Sequence, residues 1–266
     1  DAQKLQEGPR ENPYRDYFKW DPKEITNSRA QDNSRFRIIG SWEEGEWTQT
    51  NLPTKDIDEL FPNRDWPVGI LSDYGPDNIW RSTSKEKQEL DKLQEYDLFS
   101  LRKGAECHRQ IRKYAQQFIK PGMKMVDICI ELENMLKFIT NAHGLDIGQS
   151  FPTGCSLNEA AAHYTPNPGD ETVLQADDVC KLDFGTHANG FVIDCAFTIA
   201  FNPIYDNLLM ASRDGTNAGI KMAGIDARFG EIGEAIQEAI ESYEIELKVK
   251  THKIKAIKNL CGHTAG

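Results

Sequence analysis

Apolar residues recur at helical spacing in four stretches of the chain, which form two consecutive pairs. The spacing predicts helices over Lys85–Ile119 and Val126–Asn141, and Ser84 is a suitable N-cap for the first of them. The same pattern predicts a second pair over Tyr205–Met222 and Phe229–Tyr243. The apolar stripes of the second helix in each pair are Ile128, Leu132, Met135, Leu136 and Ile139, and then Ile232, Ala235, Ile236, Ala239 and Ile240.

Between the helix pairs the pattern becomes extended, and its clearest feature is a β-hairpin. Strands are predicted over Val179–Phe184 and Phe191–Phe201, both rich in Val, Ile and Phe. The loop that is predicted to join them contains Gly185, His187, Asn189 and Gly190.

Shorter extended segments precede the hairpin and follow the last helix. Strands are predicted around Leu145–Phe151 and Asn158–Tyr164, on either side of a bend at Pro152–Ser156. Two more are predicted at Ile245–Val249 and Ile254–Leu260. Helix–helix–strand therefore occurs twice, which indicates an internal repeat. The first copy ends in the hairpin, and no counterpart hairpin follows the second copy in the sequence.

The first part of the chain has a different character. All five tryptophans lie between Trp20 and Trp80, among Pro, Gly, Asn and acidic residues, and no period persists there. These features predict an irregular arm, residues 1–83, that aromatic side chains anchor to a main domain, residues 84–266. The alternative is that the same aromatic residues form a surface for a partner.

The composition is typical of a globular protein, with 39% hydrophobic and 27% charged residues. No apolar run reaches the ~20 residues of a membrane span, and no signal peptide is present, so we expect no membrane contact. A net charge of −11 without a Lys/Arg-rich block argues against nucleic acid as a partner. Six scattered cysteines favour reduced thiols in a cytoplasmic protein. The chain starts at Asp1 instead of Met, which indicates a processed chain or a fragment.

Each strand of the predicted hairpin carries one acid in an apolar setting, Asp183 and Asp194. If the strands pair about the loop, the two carboxylates can lie opposite each other, about 5 Å apart. Such a pair repels, and one member takes up a proton unless a metal ion, or better two, neutralises it. The alternative is an exposed hairpin whose acids face water. Strand alternation assigns the opposite, buried face to Leu182, Phe184, Cys195 and Phe197.

Two histidines add to this chemistry, although each taken alone is also compatible with a structural role. His163 is predicted at a strand end before the hairpin, and His263 lies in a Gly-His-Thr turn. With Asp183 and Asp194, His263 forms a ligand set suited to Mn, Fe(II), Co or Zn. Two such ions would share a bridging water, lower its pKa and generate a hydroxide. Three ligands are too few for two ions, so one or two further carboxylates are expected, and the sequence offers no convincing ones.

The remaining histidines are predicted to take no part in chemistry. His108, His143 and His252 lie among Lys, Arg or Gly and are expected to be solvated. His187 is expected at the tip of the hairpin loop, facing water, although a ligand contact there is the alternative.

Several ordered blocks of the sequence resemble the eukaryotic type 2 methionine aminopeptidases, which are metallopeptidases of the pita-bread fold. The resemblance covers about residues 40–266 and is strongest from Trp80 onward. It is specific because many blocks occur in order at fitting separations. The blocks are Phe151–Asn158, Ala161–Asn167, Lys181–His187, Ile193–Phe197, Gly233–Gln237 and Asn259–His263.

The resemblance implies an α+β pita-bread fold, a pseudo-twofold repeat of helix–helix–strand units around a curved antiparallel sheet, with only the first half complete. It implies a cytoplasmic enzyme that removes the initiator methionine from nascent polypeptides with two divalent metal ions, and the ribosome as a further partner. Asp183, Asp194 and His263 would be metal ligands, with Asp194 bridging. His163 would contact the scissile bond, steadying the tetrahedral intermediate or handling a proton, and Phe151 would help line the methionine pocket.

The sequence also departs from this family. The family's two glutamate ligands and second active-site histidine have no matching residues here, so we expect the 266-residue chain alone to be inactive. A non-catalytic pita-bread homologue that docks on ribosomes or other proteins is the alternative, but the presence of Asp183, Asp194, His263 and His163 favours the enzyme. A prolidase fits less well, because the arm segment Trp47–Thr54 resembles that of type 2 enzymes.

Overall fold

Two helix pairs and two antiparallel sheets make up the part of the chain that is described by the computed structural model, namely residues 55–66, 85, 95–141, 144–224, 227–263 and 265. The helices are α1 Ile57–Leu60, α2 Glu95–Phe118, α3 Met125–Ile139, α4 Asp206–Met222 and α5 Phe229–Glu241, with a 3-10 turn at Pro203–Tyr205. The strands are β1 Ile147–Leu157, β2 Val179–Ala188, β3 Phe191–Ala200, β4 Glu244–Leu247 and β5 Lys250–Lys253.

The four long helices confirm the four that the hydrophobic periodicity predicted. Their described ends lie within two residues of the predicted ends, except at the start of α2. Ser84 and residues 86–94 lie outside the described part, although Lys85 is helical. The predicted stripe of α3 is buried at all five positions. The stripe of α5 is only half-buried in the described structure.

The larger sheet has three antiparallel strands in the order β1-β2-β3, so β2 is central. The β2–β3 pairing runs without interruption from Val179 opposite Ala200 to Ala188 opposite Phe191. Only Asn189 and Gly190 remain for the turn, and both have positive φ, as a tight two-residue hairpin turn requires. The prediction of a longer loop was therefore wrong.

Strand β1 continues through the segment that was predicted to be a bend. Its pairing with β2 shifts register between Gln149 and Phe151 and again between Phe151 and Gly154. The second shift contains Pro152, which cannot donate a ladder hydrogen bond. Thr153 has no register partner in β2, and Glu133 of α3 accepts the hydrogen bond from its N–H (3.2 Å) as well as one from Gln149 Nε2 (2.9 Å). Residues 158–164, in contrast, are not a strand, contrary to the prediction.

Helices α2 and α3 cover one face of this sheet and form the main core with it. Leu182 and Phe184 are buried on that face, and Cys195 and Phe197 pair opposite them, which confirms the predicted alternation. Most of the remaining large core side chains come from the two helices and the segments beside them, namely Ile111, Ile119, Met125, Ile128, Leu132, Met135, Ile139 and Leu174, and Ile57 of α1 and Ile199 of β3 complete the set.

The second helix pair packs so closely that two glycines of α4 lie against isoleucines of α5. A Cβ on Gly215 would lie 2.6 Å from Ile240 Cγ1, and one on Gly219 would lie 2.9 Å from Ile236 Cδ1. After α5 the chain forms the β4–β5 hairpin, whose turn is Lys248-Val249. The second predicted strand of this region, Ile254–Leu260, is irregular, because the turn comes early enough for Lys250–Lys253 to pair instead.

One tryptophan of the predicted arm is described, and it packs as an anchor. Trp66 is buried, with its ring centroid 4.9 Å from that of Phe61 and 5.8 Å from that of Phe99 at the start of α2. The other four tryptophans lie outside the described residues, and a division of the chain at residue 83 stays a prediction.

All six cysteines are free thiols, and four of them are buried, namely Cys107, Cys129, Cys155 and Cys180. Among the described residues, none of the helices is long and apolar enough to cross a membrane.

The close approach of α4 and α5 leads to a stability prediction. Gly215→Val should lower the free energy of unfolding by about 2 kcal/mol, because the added isopropyl group, whose Cβ alone would lie 2.6 Å from Ile240 Cγ1, must displace Ile240. The matched control is Gly233→Val in α5, where an added Cβ meets nothing within 4 Å and the change should stay within about 0.5 kcal/mol. Urea denaturation measures both, and equal stability of the two variants would contradict the proposed packing.

Candidate active site

The face of the sheet away from α2 and α3 carries the acidic residues. On β2 it presents Asp183, Gly185 and His187 in alternation, and on β3 it presents Asp194. Asp194 lies opposite Gly185, and Asp183 lies opposite Ala196, so the two acids are diagonal neighbours. The expectation that they lie directly opposite each other was wrong. A diagonal places their backbones roughly 7–8 Å apart, which still lets the two carboxylates approach a common ion.

Asp183 is held in an unfavourable environment for a negative charge. Partial burial raises the pKa of its carboxyl above the ordinary value, and repulsion by Asp194 raises it further, while His163 and His263 act in the opposite direction. Its Oδ1 is buried without a hydrogen-bond partner in the described part of the chain. Because ionised Asp183 is neither fully solvated nor hydrogen-bonded at this atom, a nearby cation would stabilise it.

His263 comes from the far end of the described chain to the same face. Its Nε2 lies 3.3 Å from Asp194 Oδ2. The imidazole remains largely exposed, with 68% of its side-chain surface accessible. The structure thus brings together a carboxylate oxygen from β3 and an imidazole nitrogen from the segment that follows the second helix pair.

His163 reaches this face from a loop and not from the predicted strand end. The loop is fastened to β1 by the Cys155 N–H, which donates to Tyr164 O (2.7 Å), and by the Tyr164 N–H, which donates to Ser156 Oγ (3.1 Å). His163 itself is exposed and has φ of +67°, a conformation that costs energy for a residue with a side chain. Together with His263, it acts against the rise in the pKa of Asp183.

Phe151 borders the acids because β2 has a glycine beneath it. A Cβ on Gly185 would lie 2.2 Å from Phe151 Cε1 and 2.1 Å from Ser150 Oγ, so the ring rests directly over the strand. Gly185 is also the register partner of Asp194. The apolar ring is therefore placed beside the two carboxylates.

The donors on this face fit a divalent cation in their chemistry. Asp183, Asp194 and His263 offer carboxylate oxygens and an imidazole nitrogen, which suit the harder transition metals. The buried Oδ1 of Asp183 without a partner is the observation that favours a cation. Within the described ranges, however, no three His, Cys, Asp or Glu side chains converge tightly enough to enclose an ion by themselves.

Two histidines occupy positions that the sequence did not predict. His187 lies within β2, paired with Val192 and half-buried, so its placement at a loop tip was wrong. His108, predicted to be solvated, is 1% exposed and packs against the back of the hairpin. The signal was present in the sequence, since His108 shares the helical spacing of the buried Ile111 and Ala115. His252 is exposed as predicted, and His143 lies outside the described residues.

The comparisons with known proteins identify the class. A family model described as "Metallopeptidase family M24" matches residues 100–266, and the chain belongs to this family. The chain is 54% identical to "Methionine aminopeptidase 2A" of Arabidopsis thaliana over 218 residues, which are 82% of this chain and 49% of that protein. It is also 54% identical to "Methionine aminopeptidase 2" of Schizosaccharomyces pombe over 216 residues, 81% of this chain and 50% of that protein.

The chain thus spans about half the length of the curated relatives it matches. A solved methionine aminopeptidase from Rickettsia prowazekii overlaps 50% of this chain and 54% of its own, with 19% identity and a TM-score of 0.42. That score is low, so the assignment rests on the sequence matches. They confirm the predicted resemblance to type 2 methionine aminopeptidases and, with it, the pita-bread fold class.

The position of Phe151 over Gly185 yields a prediction. Gly185→Ala should lower the free energy of unfolding by about 1–3 kcal/mol, because the new methyl group overlaps the Phe151 ring and Ser150 Oγ. Gly154→Ala is the matched control in β1, since a Cβ there meets its neighbours at 3.5 Å or more. Chemical denaturation compares the two variants. A Gly185→Ala protein as stable as the control would show that the ring does not rest on this strand.

Burial of His108 predicts a specific acid sensitivity. Desolvation, followed by the charge of Arg112, lowers the pKa of His108 from its ordinary 6.5 to about 4. Between those values the unfolded chain binds a proton that the folded chain does not, so stability falls as the pH decreases through this window. At pH values below both pKa values, this difference in proton binding lowers the free energy of unfolding by on the order of 3 kcal/mol. Above pH 6.5 it has no effect.

We expect His108→Phe to abolish the loss of stability that protonation of His108 causes at acid pH. Its unfolding free energy relative to the wild type should therefore rise between pH 7 and pH 4, measured by urea denaturation at several pH values. His252→Phe, at an exposed position, is the control and should leave the slope unchanged. Identical slopes for wild type and His108→Phe would contradict the burial of a neutral imidazole.

Proposed function

We propose that the protein is a metal-dependent methionyl aminopeptidase that removes the N-terminal methionine from new polypeptides. The observation that carries this proposal is the meeting of His263 with Asp194 on the hairpin that also bears Asp183. It occurs in a chain 54% identical to a protein named methionine aminopeptidase 2A. A binding module would have no need to keep a half-buried carboxylate whose Oδ1 has no partner in the described structure.

Asp183, Asp194 and His263 are the residues that would hold divalent metal ions, with Asp194 in the bridging position. Two such ions, of Mn, Co, Fe or Zn, would polarise the first peptide carbonyl and supply a hydroxide nucleophile at neutral pH. The protein's own contribution is to hold two repelling carboxylates side by side on a rigid hairpin. Three residues are too few to hold two ions, so in this proposal one or two further carboxylate side chains complete the ligand set.

His163 and Phe151 act on the substrate in this proposal. His163 lies at the open side of the acidic face, where its imidazole is exposed and can donate a hydrogen bond to the developing oxyanion or transfer a proton. Phe151 offers an apolar ring beside the carboxylates, where it would contact the methionine side chain and exclude water from it. Together they orient the first peptide bond over the metal ligands.

The natural substrates would be nascent peptides that begin with methionine, which places the protein in the cytoplasm and near the ribosome. The net charge of −11 disfavours direct contact with nucleic acid, so ribosome association would run through protein surfaces.

The full-length protein and three peptides test the proposed activity. Met-Ala-Ser should release free methionine with added Mn²⁺ or Co²⁺, EDTA should stop the release, and the metal should restore it. N-acetyl-Met-Ala-Ser, which lacks the free amine, and Ala-Pro-Ser, a substrate for proline-directed peptidases, should remain intact. Folded protein that binds the peptide without cleaving it under any metal would indicate a binding module. Cleavage of Ala-Pro-Ser alone would indicate a proline-directed aminopeptidase instead.

Two variants separate the assigned roles. Asp194→Asn should lower turnover by at least about 10³-fold and weaken metal binding, because a bridging negative charge is lost. His163→Ala should lower turnover by about 10²–10³-fold while metal affinity stays close to that of the wild type. Isothermal titration with Mn²⁺ and the Met-Ala-Ser assay measure the two properties. Glu246→Gln, at an exposed acid in β4, is the control. Equal loss of metal in Asp194→Asn and His163→Ala would contradict these roles.

A further inference from the structure

A buried histidine of α2 links the two acid-bearing strands from behind. His108 Nε2 lies 2.8 Å from Phe184 O on β2 and 3.2 Å from Cys195 O on β3. Phe184 and Cys195 are register partners. Each directly follows one of the acids in the sequence, Asp183 and Asp194 respectively. One ring nitrogen thus contacts the carbonyl oxygens of the two residues that follow the acids.

The chemistry of these contacts determines the tautomer. Carbonyl oxygens only accept hydrogen bonds, so Nε2 must carry the proton and donate to both. Nδ1 is buried and has no partner in the described part of the chain, which favours its unprotonated form. Burial keeps the pKa of His108 at about 4, so the ring is neutral near pH 7. The imidazole is therefore a fixed, uncharged donor.

Packing leaves the ring little freedom to move. It stacks on the Phe184 ring with centroids 4.0 Å apart and an interplanar angle of 1°. One helical turn further along α2, Arg112 Nη1 lies 3.6 Å from Cys195 Sγ. Helix α2 therefore contacts both strands at the level of the acids, through buried His108 and partly buried Arg112.

We infer that His108 is a positioning residue, whose Nε2–H fixes the peptide units of Phe184 and Cys195 and so sets the separation of Asp183 and Asp194 for metal binding. The inference rests on the proposed metal-dependent function. Side chains alternate between the two faces of a strand, so a shift of either peptide unit on the back face moves the neighbouring carboxylate on the front face. Groups that orient metal ligands from behind commonly change metal affinity by 10–100-fold when they are lost.

Two substitutions separate this role from simple core packing. His108→Phe keeps an aromatic ring against Phe184 but removes the donor. His108→Gln removes the ring but can place an amide N–H where Nε2 now lies. Ile111→Val, at a fully buried position of the same helix without a polar group, is the packing control. His108→Leu is a second donor-free variant, for use if His108→Phe does not fold.

The measurements are Co²⁺ affinity by titration, the visible absorption spectrum of bound Co²⁺, and Tm of the metal-free, full-length protein. His108→Phe should keep its Tm within a few degrees but bind Co²⁺ about 10–100-fold more weakly, with an altered spectrum. His108→Gln should have the lower Tm and yet bind Co²⁺ within about threefold of the wild type. Ile111→Val should lower Tm and leave affinity and spectrum unchanged.

Other outcomes overturn the inference. If His108→Phe binds Co²⁺ like the wild type, or if affinity simply follows Tm across the variants, His108 is a core residue without a positioning role. If the wild-type protein itself binds no Co²⁺, the proposed metal-dependent function fails, and this inference fails with it. Normal wild-type binding combined with an unaffected His108→Phe leaves the proposed function standing.

Discussion

The alternation of side chains along β2 is the constraint on which the rest of the structure depends. Leu182 and Phe184 point into the core with α2 and α3, and Asp183 consequently points to the other side. Burying the apolar face therefore determines where the acid lies. A register slip by one residue would place the carboxylate in the core, so the hydrophobic effect itself protects the geometry of the site.

On the acidic face, the fold holds two carboxylates close together although they repel each other. Asp183 is partly desolvated and is repelled by Asp194, and both effects raise its pKa. The backbone cannot relieve this, because the two strands pair without interruption on both sides of the acids. On the open side His163 and His263 act against this rise in the pKa of Asp183, and His263 Nε2 lies 3.3 Å from Asp194 Oδ2. A metal ion bound between the carboxylates, as proposed above, would act in the same direction.

Local patterns predicted the helices and the existence of the hairpin. They failed at residues whose type is compatible with more than one structural role. Gly185 resembles a turn residue, yet it lies in the middle of β2. A glycine is needed there because the Phe151 ring occupies the space that a side chain would fill. Pro152 indicated a bend, but β1 continues through it with a shifted register. Glu133 of α3 accepts hydrogen bonds from the Thr153 N–H and from Gln149 Nε2 there. His108 has polar neighbours in sequence, but its helical spacing places it in the core.

The sequence by itself determined the two helix pairs, the apolar and acidic faces of the hairpin, and the family. These follow from periodicity and from ordered motifs, which are local properties. Only the tertiary structure decided that Asp194 faces Gly185, that His108 contacts both strands, and that His263 reaches Asp194. Each of these depends on the register of strands or on the packing of segments far apart in the chain. Such contacts are set by the shape of the whole core, which no local pattern contains.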